Sequence, residues 1–420
     1  MSKSNRGKDQ PHVRRIQRIE ISDSNVKLRL TLIVVLLSIT AVSLIVGVSS
    51  ALQTEPGWQR VEVRSTKMNC GADFVLDYDF SADGSAATSR FKTLTSLYSA
   101  ACENAFTIFS PDVPGDGIAN VHDLNARPNE TVTVDPVLYN ALSLIQKHQN
   151  RSIYLGGIYA EYGRIFRAES EVEAASYDPV QDAQQREYIA EAAIFANDPG
   201  MIDVQLFSEN QVMLKVSDEY LAFAETNEIE NLIDFGWMKN AFIADFLAQV
   251  LTDNGFTDGY LASFDGFTRN LDTRGNTYSL NVFDRQGRDI YIPAVLTYSA
   301  PSSIVFLRDY PLGKSDEWHY YAFSNGRIAN LLIDPADGMN KACVDSLVSY
   351  AKDQSCAELL LDVFPVYISD SFNTTQLQAM TSSGVYSIWC EGATVCYTDQ
   401  QAAIVLSPQE DMVYTKVYAG

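Results

Sequence analysis

Histidine is scarce and scattered: four residues in 420, at His12, His122, His148 and His319. None stands near another, so a histidine metal site or a Ser-His-Asp triad has little support. His319 sits in Glu-Trp-His-Tyr-Tyr and reads as a strand-face residue. The six cysteines form no CxxC pair and show no zinc-type spacing. The chain has no internal repeat and no low-complexity tail. Basic residues are also few, 31 against 53 acidic, for a formal charge of -22. Eight of the 31 fall in residues 1–29, beside three acids; residues 30–420 keep 23 basic and 50 acidic residues, net -27. Phosphate backbones need a basic surface, so no nucleic-acid partner is expected. An acidic body stays dispersed or attracts cations.

One long uncharged run stands out. No charge falls between Arg29 and Glu55, and Leu30 to Leu52 is mostly apolar, enough to span a bilayer as a helix. The basic flank precedes it, so residues 1–29 are expected to form a cytoplasmic tail, 30–52 a transmembrane anchor and 53–420 an extracytoplasmic domain. The alternative is a cleaved signal peptide with a weak site at Ser49-Ser50-Ala51. All six cysteines follow this run, and an even number outside a membrane suggests disulfides. Six cysteines allow about 15 pairings. The locally nearest are Cys390–Cys396 and Cys343–Cys356.

Periodicity predicts helices over Thr88–Phe109, Leu138–His148, Asp182–Ala196 and Thr374–Met380. Hairpins are expected at Val204–Phe207/Gln211–Val216 and Tyr278–Phe283/Asp289–Leu296. The expected class is α+β, a mixed or antiparallel sheet with flanking helices, and residues 370–420 pairing back onto it. Four stretches carry chemistry. Leu331–Ile333 reads as a strand ending in the Asp334-Pro335-Ala336-Asp337-Gly338 loop. Glu358 and Asp362 stand four apart in an apolar segment, so a helix would stack both on one face. They form either a cation site or the exposed stripe of a half-buried helix. Asn231–Phe235 reads as a strand meeting Gly236, with a helix starting near Lys239. That joint suits a phosphate, or is an ordinary strand–helix junction. Asp112 to Asp123 resembles a calcium loop, with Pro114 and a final Asp against it.

Taken in chain order, these stretches resemble the FAD:protein FMN transferases, the ApbE family. The family loop is His-Ile-Ile-Asp-Pro-x-Thr-Gly; Asp334, Pro335 and Gly338 match it. Its Ala-Asp-x-x-x-Thr helix is similar to Ala357-Glu358 and Asp362. Its Gly-Gly-Ile-Ala-Lys-Gly joint is matched at Gly236 and Lys239, its Gly-Gly turn falls on Asp265-Gly266, and its Ala-Thr-Ser-Gly on Thr297–Pro301. Its Asn-Ala turn is followed loosely by Asn120–Ala126. The resemblance implies a metal-assisted transfer of FMN from FAD to a threonine of an acceptor flavoprotein. Glu358 and Asp362 would hold Mg²⁺ with the Thr297–Ser299 backbone nearby. Lys239 would face the pyrophosphate, Asp334 would order the catalytic loop, and Gly236, Asp265, Gly266 and Gly338 would surround the cofactor. The chain departs from the family at Leu331 (His), Asp337 and Asp362 (Thr), and at Phe235 and Asn240 (Gly). A member with these changes either retains transfer or binds a ligand or partner without it; an unrelated anchored interaction domain is the remaining alternative.

Overall fold

The computed structural model describes residues 57–313 and 319–420. The expected tail and membrane span lie outside the described residues. Among the described residues no helix is long and apolar enough to cross a membrane.

β1 (Trp58–Val61) and β2 (Phe74–Asp79) precede the long helix α1 (Ala87–Phe109). Next come β3 (Thr131–Thr133), α2 (Pro136–Lys147), α3 (Gly156–Arg167), α4 (Ala183–Asn197), β4 (Ile202–Leu206) and β5 (Gln211–Val216). α5 (Lys239–Asp253) leads into β6 (Gly259–Ser263), β7 (Phe267–Asn270), the hairpin β8 (Thr277–Gln286) and β9 (Asp289–Ser299), and β10 (Ser302–Arg308). Short β11 (Tyr321–Ala322) and β12 (Ile328–Ala329) precede β13 (Ser346–Ala351), α6 (Cys356–Tyr367) and α7 (Thr374–Met380). The chain closes with β14 (Tyr386–Glu391), β15 (Thr394–Tyr397), β16 (Ala403–Leu406) and β17 (Thr415–Tyr418).

Nine strands make one sheet, in the order β1-β2-β6-β7-β10-β13-β14-β15-β17. Its neighbours are antiparallel except the β15–β17 pair, which is parallel. The expected α+β mixed sheet is present, and the tail after residue 370 extends it. β16 leaves this sheet to pair with β9, forming a second sheet β16-β9-β8.

β10 explains how the layers stack. Side chains alternate across a strand. Val305 and Leu307 join the core that contains α1, α5 and α6, while Ile304 and Phe306 pack with Val282, Leu296 and Ile404 of the second sheet. Both faces are covered, and every residue of β10 and β13 is buried. α6 is fixed by its own sequence: the Ser355 hydroxyl accepts from the Glu358 N–H at 3.1 Å, and nine of its twelve residues are buried.

Several expectations differ. Asn231–Phe235 is not a strand. Asn125 takes the place of a neighbouring strand, donating to the Ile233 carbonyl and accepting from its N–H, each at 2.9 Å. Leu331–Ile333 is also bent, with the Leu332 N–H turned onto the Asn330 side chain at 2.8 Å; Ile333 alone makes a bridge, to Asn340. The Asp112–Asp123 stretch is a helix cap. Asp123 Oδ2 accepts from the Gly115 and Asn120 N–H groups, both at 3.1 Å, and Asn120 caps Val121–Ala126. These oxygens serve the backbone rather than a calcium ion.

All six cysteines are free thiols. Trp389, not Cys390, lies opposite Cys396, so the two cysteines point to opposite faces of the β14–β15 hairpin. Cys356 opens α6, whereas the Cys343 N–H donates to the Tyr367 carbonyl at its far end. Neither local pairing is therefore in place. Cys70 and Cys102 are the buried neighbours: their backbones bond at 3.3 Å and their thiols touch.

Candidate ligand-binding cleft

The start of α5 is set by one glycine. Gly236 has φ +54°, and a Cβ there would lie 2.6 Å from the Tyr159 ring. Glycine alone fits this joint. Its N–H donates to Asp234 Oδ1 at 2.8 Å, and the Met238 N–H donates to the Phe235 carbonyl at 3.1 Å. The Lys239 N–H is taken by the Gly236 carbonyl. The joint thus spends three of its own N–H groups on itself. The Lys239 ammonium has no ion pair among the described residues.

Lys239 lines a cleft of about 840 Å³ together with Gly236, Asn240, Asp265 and Leu331. Its far wall is α3, whose Gly156 and Gly157 allow close approach to the 229–231 segment. A Cβ on Gly156 would lie 2.1 Å from the Asn231 carbonyl oxygen. Sequence patterning did not signal α3, although Ile158, Tyr162 and Ile165 keep helical spacing and are buried. Asp73, Trp237 and His319 also line the cleft; His319 is not the expected strand-face residue, since it lies before β11, which starts at Tyr321. A shallower hollow of about 1000 Å³ lies by Trp58, Asp77 and Tyr278. Its charges, Arg60 and Asp77, are already paired at 2.9 Å, and it holds none of the residues singled out above.

The cleft is acidic. Seven carboxylates line it against Arg164, Arg167 and Lys239. Burial raises the Asp265 carboxyl above the usual range, opposed by Ser263, Asn240 and Arg308. Burial also raises Asp73, which Lys239 counteracts and Asp265 reinforces. Asp234 is raised by burial and eased by the Gly236 N–H.

The other residues drawn from the motifs lie elsewhere. Gly266 (φ +111°) packs on β10, where a Cβ would meet the Phe306 carbonyl at 2.2 Å. Gly338 is wedged against Ile189 and Ile158, and its carbonyl accepts from Tyr162. Asp334 closes its own loop, accepting from the Ala336 N–H and from Lys341, each at 2.9 Å. Lys341 also reaches Asp337 (2.7 Å) and Asp370 (3.1 Å), beyond the C-terminal end of α6. Glu358 lies in the first turn of α6, on the order of 14 Å along the axis from Tyr367. It pairs with Lys147 of α2 at 3.1 Å. Asp362 faces His148 at 3.4 Å and accepts from Gln354 at 3.2 Å. Thr297 stands on β9, opposite Ala403 and Ser279, in the second sheet. Glu358, Asp362 and Thr297 therefore do not converge as a Mg²⁺ donor set. Among the described residues no three His, Cys, Asp or Glu side chains group closely enough to hold a metal.

No protein-family model matches the sequence, and no curated protein matches it. Solved structures do match. The chain is similar to the ApbE protein of Thermotoga maritima, at 16% identity and TM-score 0.53, over 83% of this chain and 97% of that one. It is also similar to the flavin transferase ApbE of Vibrio cholerae (13%, 0.48, 83% and 97%) and to the apo flavinyl transferase ApbE of Pseudomonas stutzeri (12%, 0.44, 83% and 95%). The chain has a divergent ApbE-like α+β fold.

Proposed function

We propose that this chain is a membrane-anchored, extracytoplasmic flavin-nucleotide protein that takes FAD in the cleft between α3 and α5. One observation carries the proposal. Gly236, Lys239, Asp265 and Leu331 are spread over 96 positions, come from three separate motifs, and line one cleft. Its volume falls in the usual range for small-molecule sites, roughly 300–1,000 Å³. Lys239, a cleft cation at the start of α5, would meet the pyrophosphate. The apolar faces of Trp237 and Leu331 offer cover for a ring system.

The reaction that accompanies this fold is FMN transfer from FAD to a threonine of an acceptor protein. The threonine oxygen forms a bond to the FMN phosphorus, the pyrophosphate P–O bond breaks, AMP leaves, and the hydroxyl proton goes to a base. This chain's residues would bind and orient FAD for that attack. Mg²⁺ would supply charge neutralisation, but Glu358, Asp362 and Thr297 do not form its site, and no step is assigned to them.

A second reading has its own support. Leu331 cannot hold a proton, and Glu358 is committed to Lys147. These favour a protein that binds FAD without transfer. Incubation of the full chain with FAD, Mg²⁺ and a threonine-bearing acceptor separates the two. Released AMP with covalent flavin on the acceptor establishes the transferase. Saturable FAD binding without AMP establishes the binding protein. Absence of both contradicts the proposal.

A further inference from the structure

We propose that Asp265 and Asn240, with Asp73 beside them, hold a divalent cation of the Mg²⁺ class on the cleft floor. Asn240 Nδ2 donates to Asp265 Oδ2 at 2.9 Å. A carboxylate accepts only from the amide nitrogen, which fixes the orientation of the amide. Asn240 Oδ1 and Asp265 Oδ1 are then left as two acceptor oxygens. Both are buried and neither has a hydrogen-bond partner. Asn240 is 5% exposed and lines the cleft. Buried acceptors are normally satisfied, so two left open on a hydrogen-bonded pair of side chains mark a place for something positive or donating.

The third oxygen source follows from the sheet. β2 and β6 pair in register from Phe74 and Ser263. One step further, the Phe264 N–H donates to the Asp73 carbonyl at 3.0 Å. This brings Asp73 to the residue before Asp265, on the same cleft.

The donor set selects the ion. The proposed donors are all oxygen, which favours a hard cation, and His319 lines the same cleft. Mg²⁺ needs only one or two carboxylates, keeps several waters and takes its remaining ligands from substrate phosphates. The absence of a three-residue acid or histidine cluster among the described residues therefore does not oppose it. An Asp and an Asn side chain hold Mg²⁺ in this way at protein-kinase phosphate sites. Two cations act near these carboxylates, Arg308 on Asp265 and Lys239 on Asp73. Arg308 donates to the Phe264 carbonyl at 2.9 Å, and Lys239 stands on the same cleft. A lysine and a metal ion commonly share one phosphate group. The cation would also offset the excess of carboxylates that otherwise repels a pyrophosphate. That last role rests on the flavin reading; the binding of the ion does not.

The test uses Mn²⁺ as the probe, followed by electron paramagnetic resonance on the full chain without flavin. The expected result is one Mn²⁺ per chain, displaced by Mg²⁺. Its affinity should fall at least about ten-fold in Asp265→Asn, or about 1.4 kcal/mol, and stay unchanged in Asp362→Asn. Asp265→Asn keeps shape and an acceptor for Asn240, and thermal melting without metal verifies that it folds. The proposal is overturned if folded wild type binds no Mn²⁺, if Asp265→Asn binds it equally well, or if Asp362→Asn abolishes binding. A chain that binds Mn²⁺ at Asp265 but takes no FAD keeps this site and removes the flavin reading.

Discussion

Asp245 of α5 accepts from the backbone N–H groups of Cys356 and Ala357, both at 2.8 Å. One carboxylate thereby ties the cleft helix α5 to the first turn of α6. Arg269 stands 3.5 Å away and supports its charge. Asp245→Ala leaves those N–H groups without their acceptor. It should destabilise the fold by about 2–4 kcal/mol, read from urea unfolding. A change below about 0.5 kcal/mol, the usual scatter of surface substitutions, would show that the tie contributes little.

Asp309 gives a pH signature. Burial pushes its carboxyl up to about 7, opposed by Arg285 and reinforced by Asp345. The unfolded group titrates near about 3.9, so between these values the folded chain binds more protons than the unfolded one. Asp309 therefore lowers stability progressively as pH rises through that window. Asp309→Asn cannot ionise. Its melting temperature should exceed that of wild type above about pH 7, and the gap should narrow on acidification and close near about pH 4. A gap that widens on acidification would contradict this account.

Cys70 and Cys102 are the cysteine pair that the fold brings together. Exposed to oxidised glutathione, the two thiols should give up two protons and two electrons and form an internal disulfide, leaving reduced glutathione. Peptide mapping without reductant should recover the 70–102 link and neither Cys390–Cys396 nor Cys343–Cys356. Recovery of either of the latter would mean that the chain reaches a different arrangement of β14–β15 or α6.

The α+β class, most helices and both hairpins were legible because their apolar spacing is strong, as in Phe91, Leu94, Tyr98 and Ala101 of α1. The Gly236–Lys239 joint was legible because only glycine tolerates its backbone. The metal assignment was not. A four-residue spacing places Glu358 and Asp362 on one face of α6, but spacing cannot say what that face meets, and it meets Lys147 of α2 and His148 just after it. The Asp334 loop misleads for a similar reason, since a turn that satisfies itself has the same residues as one that meets a ligand. The cleft wall on α3 stayed hidden because its two glycines are weak helix formers whose value lies in contact with a distant segment.

Leu331 borders the cleft where the resembled family has histidine. Leu331→His should place a proton acceptor beside a bound nucleotide. AMP release from FAD should rise at least about ten-fold over wild type, a modest share of what a positioned base supplies. No gain in a variant that still binds FAD would show that Leu331 does not face the reacting group.

The central claim is that the cleft takes FAD through Lys239. Titration of FAD with the full chain, followed by flavin fluorescence, tests it most directly. Saturable one-to-one binding is predicted, weakened about ten-fold or more in Lys239→Ala, the loss of at least one charge-assisted contact. No saturable binding, or equal affinity in folded Lys239→Ala, would contradict it.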